Sequence, residues 1–513
     1  MRVTDNVDMD GDPMHHHPMA WRFLSRLCAT VNACGLAVLV GCGGCTKPVP
    51  GVCCAGPDDC AAIGLSQPRP CSDGMVCVMN SCSAEEPDAG PQAADATPDA
   101  STEECTSSVQ CPTGRRYCAP DHTCAECLLS SECPANLPVC DTTTYACRQC
   151  GADADCPGSV CNFTAGTCAS SNALLYVTPT GSPVTSCGQA DPCTISRAFA
   201  LATSTRNIVT LSPGTYTDGV TFSNKSVVVH GFGSTLNAAA SAHAFSVSDG
   251  ATLTVYGLSI VDLNSSNAGV AIDCEPSSTS TPPTLNLDQV SIDAATNNAI
   301  FGYPCTVTVT RSHLHERTST VQVFMGIAGT IATFDRTLFD GGDGIVSAGG
   351  GVTHITNSVI VNQTGPDGAF LGGSVLGSPM GSMFVSFSTV INSAVKCSTG
   401  TPACRGGTAA GSCVDNTLIF NAAPGAPADT VTGSACNASY SLVYPQSSAI
   451  AGSNNTLGIN PALVNVSNAD YHLAAGSPAI NTADPSATNG HDYDGTSRPQ
   501  GGRDDIGAFE YKP

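Results

Sequence analysis

Three side chains able to move a proton occupy the same place in successive copies of a short repeated pattern: Asp293, His315 and Asp340. If each copy is one strand of a stacked coil, they lie roughly 4.7–4.9 Å apart. A carboxylate–imidazole–carboxylate series of that kind can act as acid and base. Arg311 and Arg336 hold the sixth place of two of these copies, between Gln289 and Asn357, and His313 and Arg317 share the outward face. Two guanidiniums beside such a series suit an acidic sugar. Calcium is the other chemistry on offer, because Asp340 and Asp343, with Asp293, present hard carboxylate oxygens. Asp492 and Asp494 make a second calcium candidate on an Asp–Gly turn. A structural Arg498–Asp505 ion pair beside that turn explains the same residues without a metal, and is preferred. Outward polar residues on a solenoid also relieve one another's charge with no catalysis involved, and this plainer reading of the ladder is favoured.

The pattern that positions these residues runs from 252 to 419. It reads TLTVYGLSI from Thr252, TLNLDQVSI from Thr284, TVTVTRSHL from Thr306 and IATFDRTLF from Ile331. It continues as VTHITNSVI from Val352, MFVSFSTVI from Met383 and GSCVDNTLI from Gly411. The ninth residue is large and apolar (Ile260, Ile292, Leu314, Phe339, Ile360, Ile391, Ile419), and the seventh is small, hydroxylated or aliphatic. Starts fall 21 to 32 residues apart, the spacing of a solenoid coil with loops of varying length. Alternating apolar positions in short β-branched runs are strands. Each coil buries only its inner face, so a core forms only by stacking. The expected fold is all-β: a right-handed parallel β-helix preceded by a disulfide-rich, loop-dominated stalk.

Composition narrows the partners. The net charge of −23 and the lack of a basic stripe exclude nucleic acid and disfavour docking on anionic lipid by charge. Of the 30 cysteines, 22 precede residue 170 at regular short spacings, which indicates an oxidising compartment. Cys124-x-x-Cys127 and Cys147-x-x-Cys150 have zinc-ligand spacing, but no histidine set accompanies them. Between 105 and 168 the cysteines fall into three four-cysteine units of about 22 residues, each with Pro after its second cysteine (Pro112, Pro134, Pro157). Units so small need bridges in place of a core, each worth roughly 2–4 kcal/mol. Spacing leaves their connectivity open. Further along, the pairs Cys187–Cys193, Cys274–Cys305, Cys397–Cys404 and Cys413–Cys436 are expected.

From Met19 the chain shows a basic start (Arg22, Arg26), a mostly apolar Leu27 to Val40, and the box Leu39-Val40-Gly41-Cys42. This resembles the bacterial lipoprotein signal, which implies lipidation of Cys42. Its apolar run of about 14 residues is too short to span a bilayer. Gly43 after the cysteine implies onward transport to the outer membrane, and residues 1 to 18, with His15 to His17, precede the expected start. The expected organisation is upstream residues and signal peptide 1–41, lipidated N-terminus and first cysteine block 42–82, acidic Ala/Pro linker 83–104, cysteine-rich repeats 105–170, and β-helix with C-terminal cap 174–513.

The repeats resemble cysteine-rich modules of secreted myxobacterial proteins. Leu175-Tyr176-Val177, Ala198 to Ala202 and Ile208 to Tyr216 resemble the opening coil of pectate-lyase-like β-helix proteins, in which a short helix caps the first coil. Asp492-x-Asp494-Gly495-x-x-Arg498-Pro499 and Asp505 to Tyr511 resemble the end of choice-of-anchor Q surface proteins, with Asn481 where that family has Asp. The polygalacturonase aspartate constellation is absent, and no calcium-and-arginine set of the pectate lyase kind can be assigned. The expected protein is a monomeric outer-membrane lipoprotein, facing periplasm or cell surface, whose long solenoid face recognises polysaccharide or a surface protein without catalysis. The alternatives are a polysaccharide lyase or glycoside hydrolase acting through Asp293, His315 and Asp340, and a purely structural surface protein. Trp21 is the single tryptophan and lies in the signal peptide, so the mature chain has no tryptophan platform for sugars.

Overall fold

The computed structural model describes residues 104–513 except 238–240, 262–269, 278–280, 295–297, 349, 364–369, 373–380, 397–413, 423–428 and 433–436. It also describes the backbone of an antiparallel hairpin, Met75–Val78 with Ser81–Ala84, in a separate unit Met1–Ser101. The signal segment, Cys42, and Cys397, Cys404, Cys413 and Cys436 lie outside the described residues.

The second unit, Thr102–Pro513, is a parallel β-helix with cysteine-rich repeats at its start. Three parallel sheets run along it. The first stacks Thr284–Asp288, Thr306–Thr310, Ile331–Asp335, Val352–Thr356 and Ser382–Ser386 in register. The second stacks Ser291–Ala294, His313–Glu316, Leu338–Gly341, Val359–Val361, Thr389–Ile391 and Leu418–Phe420. The third runs from Val220–Ser223 to Phe370–Gly372. Inward residues alternate with outward ones, so Ile260, Ile292, Leu314, Phe339 and Ile360 are fully buried. The rings of Phe324, Phe334 and Phe339 pack edge to face at 5.0 Å. Each such side chain contributes roughly 1.5–3 kcal/mol.

One segment sits a residue away from its expected frame. Ser382, not Met383, pairs with Val352, and Val390, not Ile391, pairs with Ile360. Ile391 therefore faces outward, yet it is fully buried. It lies beneath the C-terminal segment, which folds back along the outside of the second sheet. Leu473, Ala479, Ala483, Ile506, Ala508 and Phe509 pack there against Val359, Val361, Ile391, Leu418, Phe420 and Leu442.

The corner between the first two sheets explains the sixth and seventh places. The sixth residue is left-handed in successive coils: Gly257 (φ 69°), Gln289 (56°), Arg311 (47°), Arg336 (50°), Asn357 (49°), Phe387 (45°) and Asn416 (51°). At Gly257 a Cβ would collide with the Phe232 ring, so only glycine fits. The seventh hydroxyl accepts a main-chain N–H from the coil before it. Ser312 Oγ accepts from Val290 N (3.0 Å), Ser358 Oγ from Thr337 N (3.1 Å) and Ser388 Oγ from Ser358 N (3.2 Å). These hydroxyls satisfy buried donors that the sharp turn removes from the sheet ladders.

At the start of the solenoid, helix Ile195–Leu201 buries Ile195, Ala198 and Phe199 over the first coils, where Phe199 meets Phe222 and Phe245. Cys187–Cys193 and Cys274–Cys305 are bridged as expected. Each cysteine-rich repeat joins its first cysteine to its third and its second to its fourth: Cys105–Cys118 with Cys111–Cys124, Cys127–Cys140 with Cys133–Cys147, and Cys150–Cys161 with Cys156–Cys168. The zinc-spaced cysteines therefore belong to different bridges. The third repeat docks on the solenoid. Its Phe163 ring stacks on His230 at 5.6 Å and meets Tyr256 at 4.6 Å, while Asp153 lies 3.0 Å from Nδ1 of the buried His230.

Candidate functional site

Turning the chain at a left-handed residue makes the fifth and sixth side chains project from one corner, where acidic and basic partners from adjacent coils meet. Arg311 Nε donates to Asp288 Oδ1 at 2.8 Å, Nη2 of the same guanidinium meets Asp288 Oδ2, and Thr310 Oγ1 donates to Asp288 at 2.7 Å. Asp335 is a second hub. Its carboxylate accepts from Arg336 Nε (3.0 Å) and Asn357 Nδ2 (2.9 Å), and His491 Nε2 of the C-terminal segment lies 3.1 Å away. Arg311 and Arg336 are thus hydrogen-bonded to Asp288 and Asp335 rather than to the aspartates of the aspartate–histidine ladder.

The ladder is in register: Asp293, His315 and Asp340 sit side by side on three adjacent strands. Its hydrogen bonds divide it. His315 Nδ1 lies 3.1 Å from Asp293 Oδ1, and Arg317 binds both oxygens of Asp293, with Nε at 2.8 Å from Oδ1. Asp340 instead accepts from Asn362 Nδ2 at 3.0 Å. Partial burial pushes the Asp293 carboxyl up, but the Arg317 and His315 contacts outweigh it and hold the group below the usual range. A carboxylate so stabilised is a weak base. His313 stacks beside His315 at 6.1 Å, and burial pushes its imidazole down, toward the neutral form at neutral pH. Sequence reasoning placed Arg317 on the outward face but missed its role as the partner of Asp293.

The carboxylates proposed for calcium do not converge. Asp340 is held by Asn362, while buried Asp343 accepts from Gln322 Nε2 at 3.2 Å. Asp492 is buried and accepts from the main chain of Thr496 (2.7 Å) and Glu510 (2.9 Å). Asp494 is exposed and lies 2.8 Å from His472 Nε2. Among the described residues, the groups of three potential ligands that come together are disulfide-bonded cysteines. The structural account of the turn also needs correction. Arg498 pairs with Glu510, not with the Asp505 carboxylate, at 2.9 Å and with both side chains buried. It contacts Asp505 only through the main-chain carbonyl, at 2.9 Å. The Asp505 carboxylate accepts from the main-chain N–H groups of Asn481 (2.7 Å) and Tyr511 (2.6 Å).

A cleft of about 520 Å³ opens where the C-terminal segment meets the corner, lined by Gln289, Arg311, His313, Arg336, Tyr493 and Asp494 among others. Tyr493 and Asp494 form a wall contributed by residues far away in sequence. Gly495 (φ 85°) brings the turn against Arg336, 3.6 Å from its Nη1 to where a Cβ would stand. Tyr256, which the Phe163 ring of the docked third repeat meets, is paired in register with Asp288. The wall left a trace in the sequence: the outer strands Val359–Val361 and Leu418–Phe420 are continuously apolar, which marks burial on both faces.

No family model matches the chain, and no curated protein matches it. Among solved structures it is similar to the crystal structure of pectate lyase Pel9A, at 14% identity and a TM-score of 0.40, over 67% of this chain and 98% of that one.

Proposed function

We propose that this chain is an outer-membrane lipoprotein, anchored through Cys42, of choice-of-anchor type, which displays its β-helix for non-catalytic recognition of polysaccharide or a surface partner. The supporting observation is the state of the acid–base groups around the cleft. Asp293 is clamped by Arg317 and His315, Asp288 by Arg311, and Asp335 by Arg336 and Asn357. Groups locked in ion pairs give a preformed polar surface, and none of these three carboxylates is poised as a base. The purified full chain, incubated with a panel of polysaccharides, is expected to retain one or more in pull-down without releasing reducing ends or unsaturated products. Turnover lost in Asp340→Ala would replace this reading with an enzyme. The anchor is tested separately. Labelled fatty acid is expected to enter the wild-type chain in cells and not Cys42→Ala, and equal labelling removes the lipoprotein assignment.

A further inference from the structure

We infer that the cleft between the sheet corner and the C-terminal segment takes a neutral, hydroxyl-rich glycan chain of at least two sugar units, lying along the solenoid axis. The inference rests on the recognition reading above and names its ligand class. Among the described residues that line the cleft, each guanidinium already has its carboxylate: Arg311 has Asp288 and Arg336 has Asp335. An anionic ligand would have to displace Asp288, only 16% exposed, and leave that charge half-buried without a cation. It would gain one carboxylate contact by losing another. Asp494 adds further negative charge to the wall, and the chain as a whole carries −23.

A guanidinium beside a carboxylate has a different use. The guanidinium only donates and the carboxylate only accepts. Neighbouring hydroxyls on a sugar ring do both, so the pair meets two of them at once. Arg311 and Arg336 line the cleft, each with its carboxylate, Asp288 or Asp335, directly beside the lining, and the Gln289 amide at the Asp288 end adds a donor and an acceptor. Asp288 and Asp335 are aligned through Thr310 on the intervening strand. Two strand spacings separate them by about 9–10 Å. A single sugar ring does not span both, whereas a chain running along the axis does. Tyr493 supplies the apolar element. Its ring is half-buried, backed by Phe509 at 5.3 Å, and lines the cleft together with Leu338. Tyrosine and the chain of paired side chains thus take the place of the tryptophan the mature protein lacks.

The test is a binding titration of the full-length chain against soluble β-glucan, galactomannan and dextran, with polygalacturonate as the anionic comparison, at low and high salt. Binding to a neutral polymer that changes less than about twofold with salt is expected, because no net charge is neutralised. Tyr493→Ala and Gln289→Ala are each expected to weaken it at least about tenfold. Gln289 lies outside the C-terminal segment, so its loss reports on the cleft even if Tyr493→Ala loosens that segment. Salt-sensitive preference for polygalacturonate would overturn the ligand class and leave the recognition reading standing. Neutral binding untouched by both substitutions would overturn the site. No binding to any polymer would overturn the glycan assignment and confine the recognition reading to a surface partner.

Discussion

His491 Nε2 lies 3.1 Å from Oδ2 of Asp335, although 156 residues separate them in the chain. The contact fastens the C-terminal segment to the sheet corner, and Asn489 strengthens it by exchanging hydrogen bonds with Asn357, itself a donor to Asp335. One carboxylate therefore joins two coils and the returning segment. Asp335→Ala is expected to lower unfolding free energy by about 1–3 kcal/mol, and to expose the stretch 484–504 to protease before the solenoid unfolds. His491→Ala should do the same more weakly. Equal protease resistance in all three proteins would show that apolar packing alone holds the segment.

The buried hydroxyls at the seventh place are structural, and Ser358 tests them. Its Oγ accepts from Thr337 N at 3.1 Å and donates to Thr356 O at 2.7 Å, with no exposure. Ser358→Ala strands both groups and should cost about 1–3 kcal/mol in denaturant titration. Ser358→Thr should cost under about 1 kcal/mol, since Thr337 and Thr417 fill the same place. If alanine is tolerated as well as threonine, the hydroxyl ladder carries no stability.

Backbone strain at the sixth place gives a prediction of opposite sign for two substitutions. Gln289 holds φ 56°, where a side chain costs roughly 1–2 kcal/mol. Gln289→Gly should leave the melting temperature unchanged or raise it, whereas Gln289→Val, β-branched and ill-suited to that region, should lower it. A stable valine variant would contradict the left-handed corner.

His472 gives the C-terminal segment a pH dependence. Burial pushes its imidazole down, but hydrogen bonds to Asp494 (2.8 Å) and Asp470 (2.7 Å) outweigh that and hold it above 6.5. A raised folded-state value means that the stabilisation is fully present below pH 6.5 and is lost as pH rises through the raised value. The melting temperature of wild type minus that of His472→Gln should therefore shrink on going from about pH 6 to about pH 9. A constant difference would mean that the imidazole makes no charge-dependent contact.

The sequence by itself determined the coil, its period and the parallel stacking, because an inner face that must be apolar every second residue writes itself into each repeat. It also placed Asp293, His315 and Asp340 side by side, since register follows from that same inner face. The pairings Cys187–Cys193 and Cys274–Cys305 followed from closeness along the chain and along the stack. Tertiary structure decided what covers the outside. From Val359 onward the outward residues are apolar too, so alternation fades and either of two frames fits; Met383 and Ile391 were read a place away from the register Ser382 and Val390 actually hold. The C-terminal segment that removes this ambiguity lies about 80 or more residues later and docks through His491, Phe509 and their neighbours. The same return built the cleft wall from Tyr493 and Asp494. Which carboxylate each arginine takes was likewise a matter of geometry: a left-handed corner turns Arg311 toward Asp288 and leaves Asp293 to Arg317.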